Sequence, residues 1–64
     1  MNSSDSYWTL QAAIAYGGGF MRCLAEAGIA ADSNNRQRLL LAFPELQQCY
    51  GPQTFLHRQA RGNA

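Results

Sequence analysis

The side chains best suited to covalent or metal chemistry are two cysteines and one histidine, Cys23, Cys49 and His57. Thiolate and imidazole groups bind structural zinc, and a cysteine beside a histidine can act in nucleophilic catalysis. The cysteines form no CxxC pair, and their spacing to His57 matches no zinc motif. We therefore expect no metal site. We expect both cysteines to be reduced, buried apolar side chains, with a disulfide between them as the alternative.

Acid–base chemistry has equally little support. The four carboxylates, Asp5, Glu26, Asp32 and Glu45, are isolated from one another in the sequence. His57 lies in the polar C-terminal segment "PQTFLHRQARGNA", which we expect to fray and leave the imidazole solvated. A nucleophile needs a positioned base and an orienting group on ordered elements. The sequence therefore predicts a protein that is not an enzyme, with no catalytic residues and no cofactor.

The glycine triplet in "AYGGGFMR" raises the question of a phosphate site. A P-loop continues with lysine and serine or threonine, whereas this triplet is followed by Phe20, Met21 and Arg22. A dinucleotide fingerprint follows a strand, and here the preceding residues are helical in pattern. An anion held by the next helix start near Arg22 is the less favoured interpretation. We expect a turn between two helices, and a single bent helix is the alternative.

The composition predicts an all-α protein, because valine is absent and alanine, leucine, glutamine and arginine dominate. A first helix is expected over residues 7–16, after N-cap candidates in "SSDS". Gly17 is then expected as a left-handed C-terminal residue. A second helix over residues 20–27 should stop at Gly28. Asp32 or Ser33 should cap a third helix, and Pro44 should begin a short fourth one that Gly51 closes.

These elements predict one domain over residues 1–64, a compact bundle of three to four short helices with flexible termini at about 1–5 and 58–64. Leu41 falls on a polar side of the third helix and is expected to be exposed. The predicted core consists of Tyr7, Leu10, Ile14, Met21, Leu24, Leu39, Leu40, Phe43, Leu46 and Tyr50.

Size and charge narrow the functional classes. A chain of 64 residues is near the lower limit for independent folding, which favours self-association or a bound partner. The net charge of +1, with five arginines and no lysine, is too balanced for a typical nucleic-acid binder. No apolar run approaches the roughly 20 residues of a transmembrane helix, and "MNSSDSYW" lacks the features of a signal peptide. The sequence predicts a soluble, cytoplasmic protein.

Three segments, "FMRCLAEAGIAAD", "NRQRLLLAFPEL" and "YGP", carry a resemblance that covers the chain from Tyr7 to Pro52. This region resembles small accessory proteins of phages and prophages from GC-rich proteobacteria. The resemblance implies a short gene on a mobile element. Many such proteins bind one host protein stoichiometrically, and anti-CRISPR and other anti-defence inhibitors are among them. The resemblance assigns no role to any individual residue.

Size, charge and resemblance together predict a non-enzymatic binding module, a homodimer that occupies a surface of another protein. Inhibition of a bacterial defence complex is its most concrete form. Arg36 and Arg38 are candidates for a polar rim around the contact. Exposed apolar side chains contribute strongly to interfaces, and the candidates for direct contact are Trp8, Tyr16, Phe20, Leu41 and Phe55.

Two other functions remain open. Ala13 and Gly17 have the four-residue separation common in helix-turn-helix motifs, which would fit a small nucleic-acid-binding regulator. Its binding would fall steeply with salt. The third function is a structural or assembly component of a virion, which predicts a larger oligomer. The regulator would use the arginines Arg22, Arg36, Arg38, Arg58 and Arg61.

Overall fold

The computed structural model describes residues 3–62, and these residues form five α-helices and no strand. The helices are α1 (Ser3–Tyr16), α2 (Gly19–Ala30), α3 (Ser33–Ala42), α4 (Glu45–Tyr50) and α5 (Phe55–Ala60). The all-α prediction is confirmed, and α5 is a helix that the sequence analysis did not assign. Residues 1, 2, 63 and 64 of the predicted flexible termini lie outside the described residues.

Helix α1 is the central element, since it packs against α2, α4 and α5. Its inner stripe runs through Ser6, Leu10 and Ala13, all buried, and reaches Gly17. This spacing of four, three and four residues places the side chains on one helix face. The prediction that Tyr7 lies in the core is wrong, because Ser6 occupies the inner position in that turn and Tyr7 is 44% exposed.

The glycine triplet separates two helices, as predicted, but not through a left-handed residue. Among the described residues, Gly62 alone has a positive φ, so the prediction for Gly17 is wrong. A Cβ atom on Gly17 would lie 2.5 Å from the carbonyl oxygen of Ala13 and 2.9 Å from Cβ of Met21. A glycine is therefore required at position 17 because a side chain would not fit at the end of α1, and not because the backbone adopts a left-handed conformation.

Gly28 does not end α2, contrary to prediction, and the helix continues to Ala30. Gly28 is buried against α1, where an added Cβ would lie 3.0 Å from both methyl carbons of Leu10. The missing side chain lets α1 and α2 approach closely. Ala25, also fully buried on α2, belongs to the same core cluster as Leu10.

The third and fourth helices follow the predicted boundaries. The Asp32 side chain caps α3 by accepting a hydrogen bond from the backbone N–H of Asn35 at 2.8 Å. Pro44 directly precedes α4. Leu40 of α3 and Leu46 of α4 complete the buried cluster. The other predicted core residues are partly buried and pack against this cluster: Ile14, Met21, Leu24, Leu39, Phe43 and Tyr50.

Both cysteines are exposed and unpaired. The prediction of free thiols is confirmed, and the prediction of buried ones is wrong. Cys23 lies on the side of α2 that faces away from the buried Ala25, and Cys49 is exposed on α4 although it follows the buried Leu46 by only three residues. No helix within residues 3–62 has the length and hydropathy required to cross a membrane.

Substitutions at Gly28 and Gly19 test whether the close approach of α1 and α2 requires a glycine at position 28. Gly28→Ala should lower the free energy of unfolding by about 1 kcal/mol or more, because overpacking against the fully buried Leu10 outweighs the gain in helix propensity. Gly19→Ala meets no atom within 4 Å and should stabilise the protein by about 0.4 to 1 kcal/mol. Urea denaturation followed by circular dichroism measures both. Equal effects of the two changes would contradict the packing role of Gly28.

Candidate protein-binding surface

Large apolar side chains of residues 3–62 are buried, partly buried against the core cluster, or exposed. The buried ones within residues 3–62 are three leucines, Leu10, Leu40 and Leu46. A larger set of long or aromatic side chains is exposed. That set is Tyr7, Tyr16, Phe20 (63% exposed), Leu41 (71%) and Phe55 (62%). Exposure is therefore as predicted for Tyr16, Phe20, Leu41 and Phe55, whereas Trp8 is half-buried.

One group of contact candidates lies where α1 turns into α2. Tyr16 is the last residue of α1, and Phe20 lies in the first turn of α2. The Phe20 ring packs edge-on against Phe43, with ring centroids 5.9 Å apart. Phe43 is itself packed against the core cluster. Phe43 thus packs against Phe20 from the side of the core, and most of the Phe20 surface stays open to solvent, as in an interface anchor.

Leu41 lies at the edge of a surface hollow of about 140 Å³ between α1, α3 and α4. Helix α3 packs chiefly against α2. The volume of the hollow is well below the roughly 300 Å³ or more of typical small-molecule pockets. It is suited to a single side chain of a partner. The lining residues are Ser6, Gln37, Leu40, Leu41 and Gln47.

Trp8 and Phe55 are placed differently from these groups. Trp8 packs edge-on against Tyr7, with ring centroids 5.1 Å apart, and Phe55 is the first residue of α5. The two aromatic ring pairs within residues 3–62 are Tyr7–Trp8 and Phe20–Phe43. Neither pair consists of two predicted contact residues. Ser6, Gln37 and Gln47 were not predicted as contact residues, since a hollow shared by three helices leaves no pattern along the chain.

The two arginines proposed for a polar rim have different environments. The Arg36 guanidinium donates hydrogen bonds to the carbonyl oxygens of Gly28 and Ala31, each at 2.8 Å, and of Ile29 at 3.3 Å. These carbonyls belong to the C-terminal end of α2, where helical hydrogen bonding runs out. Arg36 therefore closes α2 and joins it to α3. Among the described residues, the Arg38 side chain bonds only to Asn35 on its own helix, at 3.2 Å, and it is the more available of the two.

Replacing each arginine by methionine separates these environments while keeping a long unbranched stem. Arg36→Met should destabilise the fold by about 1.5 to 3 kcal/mol, because charged hydrogen bonds to partly buried carbonyls are lost. Arg38→Met should stay within about 0.5 kcal/mol of the parent. Chemical denaturation measures both values. A similar small loss for the two variants would show that the three carbonyls do not depend on Arg36.

His57 is 1% exposed, so the prediction of a solvated imidazole is wrong. The Thr54 side chain accepts from the His57 backbone N–H at 3.2 Å and starts α5. The imidazole Nδ1 lies 2.9 Å from the carbonyl oxygen of Tyr50, which can only accept, so Nδ1 carries the proton and donates. Threonine three residues before the histidine was a readable N-cap signal.

The surroundings of His57 fit an anchor better than a reactive group. Nε2 is buried and has no hydrogen-bond partner within the described residues. Thr9 on α1 lies 3.4 Å from Nδ1, so the ring sits between α1, the end of α4 and its own helix. No cluster of three or more histidine, cysteine or acidic side chains that could hold a metal occurs in residues 3–62.

His57 can be tested by asparagine and glutamine substitutions. Asparagine places its N–H group near the position of Nδ1, whereas glutamine reaches towards Nε2. His57→Asn should retain the bond to Tyr50 and be about 1 kcal/mol more stable than His57→Gln. His57→Ala should lose about 2 to 4 kcal/mol through the cavity it leaves. Thermal and urea unfolding measure the order, and a more stable glutamine variant would contradict the assigned tautomer.

Comparison of the chain with protein-family models, with curated proteins and with solved structures found no significant match. The resemblance to phage accessory proteins thus remains an expectation from the sequence segments that carry it.

Proposed function

We propose that this protein is a non-enzymatic binding module that self-associates and occupies a surface of another protein. The observation that carries the proposal is the exposure of five large apolar side chains within residues 3–62. Aromatic side chains contribute a disproportionate share of the energy of protein interfaces, and the contacts around them exclude water. Phe20, supported by Phe43, is such a side chain, and Leu41 lies beside the hollow.

The surface around Leu41 is the proposed contact for the other protein. Leu41 projects beside the hollow, so a partner could cover the leucine and place one of its own side chains among Ser6, Gln37 and Gln47. The hydroxyl and amide groups there would form hydrogen bonds that fix the orientation of the partner. Arg38 lies on the same helix and would form part of the rim.

The resemblance to phage accessory proteins makes a bacterial defence complex in the host cytoplasm the most concrete target for this contact. Inhibition would then be stoichiometric and would require no reacting group. The regulator and virion alternatives predict different partners, namely nucleic acid and many copies of the chain. Both can be recognised in the experiment that tests the proposal.

Leu41→Glu should abolish capture of the target from a bacterial host lysate, because a buried unpaired carboxylate would replace an apolar contact. The measurement is an affinity pull-down in the presence of nuclease, read by quantitative mass spectrometry. The parent chain should retain one host protein in an amount close to equimolar with itself. The fold should be unaffected, since Leu41 is 71% exposed. We expect the loss in captured target to be at least tenfold.

The matched control is Gln48→Glu, which adds the same charge at an exposed position of α4 outside the hollow lining. It should capture the target as the parent does. Equal capture by Leu41→Glu would contradict the proposed contact. Material that disappears on nuclease treatment would favour the nucleic-acid regulator, and recovery of the chain alone in large assemblies would favour the virion component.

A further inference from the structure

Helix α2 is apolar on both of its sides. Arg22 and Glu26 are the sole charged or amide side chains among its 12 residues. Its inner side contains the buried Ala25 and Gly28 and faces α1 and α3. A surface helix normally carries polar residues on its other side, and a helix that is apolar all round is normally buried. The outer side of α2 nevertheless has four exposed apolar residues, Phe20, Cys23, Ala27 and Ala30.

These four residues form one seam along the helix. Their spacing of three, four and three residues is that of the contact positions in paired helices. Cys23 lies about 160° around the helix from the buried Ala25, so the seam points away from the core. Three of the four side chains are small, which lets a second helix approach closely. Phe20 at one end is the single large side chain of the seam.

The charged residues beside the seam would meet opposite charges on a second copy of the chain in one orientation only. Arg22 and Glu26 are exposed and flank the seam on the same side, and their side chains form no ion pair or hydrogen bond within residues 3–62. In an antiparallel pair of two copies, Arg22 lies within about one turn of Glu26 of the partner subunit. In a parallel two-fold pair, the flank that carries Arg22 and Glu26 in one copy lies on the opposite side of the interface from the same flank of the other copy, so these charges do not meet.

We propose that two copies of this chain associate through the outer face of α2, with the two helices antiparallel and related by a two-fold axis near the middle of α2. Phe20 of each copy then lies against Ala30 of the partner subunit, a large side chain beside a small one. The inference rests on the self-association in the proposed function and is independent of the host target.

The area available on this face limits the affinity. A seam of about three turns is shorter than the contact of about 800 Å² per partner in a standard stable interface. The dimer should therefore dissociate in the micromolar range. Sedimentation equilibrium over about 5 to 500 μM covers the expected transition.

The decisive experiment uses charge reversal at the two flanking positions. Arg22→Glu and Glu26→Arg each bring like charges together in the antiparallel pair, and each variant alone should dimerise at least tenfold more weakly than the parent. An equimolar mixture of the two variants restores opposite charges across the interface and should form a heterodimer. Each chain in the mixture still carries its own like-charge pair along α2, so recovery cannot come from repair of the monomer.

Control variants and crosslinking identify the face. Arg38→Glu on α3 and Glu45→Arg on α4 make the same charge changes at exposed sites outside α2 and should dimerise as the parent does. A short bismaleimide should crosslink Cys49→Ser through Cys23, and it should not crosslink Cys23→Ser through Cys49. A parent that is monomeric at 500 μM overturns self-association itself. A dimer indifferent to both reversals, or a mixture that fails to associate, overturns the α2 face alone.

Discussion

The close approach of α1 and α2 is the constraint on which the rest of the fold depends. It requires the absence of a side chain at Gly28, where the methyl carbons of Leu10 occupy the space that a Cβ would need. The same requirement recurs at Gly17, beneath the start of α2. With α1 and α2 in contact, Leu10 and Ala25 form the centre against which Leu40 and Leu46 pack. A core this small tolerates no separation of its two longest helices.

Polar contacts at helix ends hold the shorter elements onto that pair. Arg36 reaches from α3 to carbonyls at the C-terminal end of α2, and His57 reaches from α5 to the last carbonyl of α4. Each contact satisfies backbone groups that a helix terminus leaves unpaired. Helices of six residues are unstable alone. Their positions in this chain therefore depend on such links and on single buried residues such as Leu46.

The small number of helices also explains why apolar side chains remain on the surface. Central α1 is covered on several sides by α2, α4 and α5, which uses the inner face of each neighbour and leaves their outer faces open. On α2 that outer face is apolar, and on α3 the exposed Leu41 stands beside a hollow that no helix fills. Within residues 3–62 no further helix covers them. These two faces are the ones that we propose bind other chains.

The sequence by itself determined the helical class, the break at the glycine triplet, the Asp32 cap and the exposure of Leu41, because each depends on local propensity or on spacing within one helix. Only the tertiary structure decided where Tyr7, His57 and the two cysteines lie, since their burial depends on which neighbouring helix covers them. It also changed the reason for two glycines, from backbone rotation and helix termination to the space that another atom occupies. Such contacts join residues far apart in the chain, and no local pattern records them.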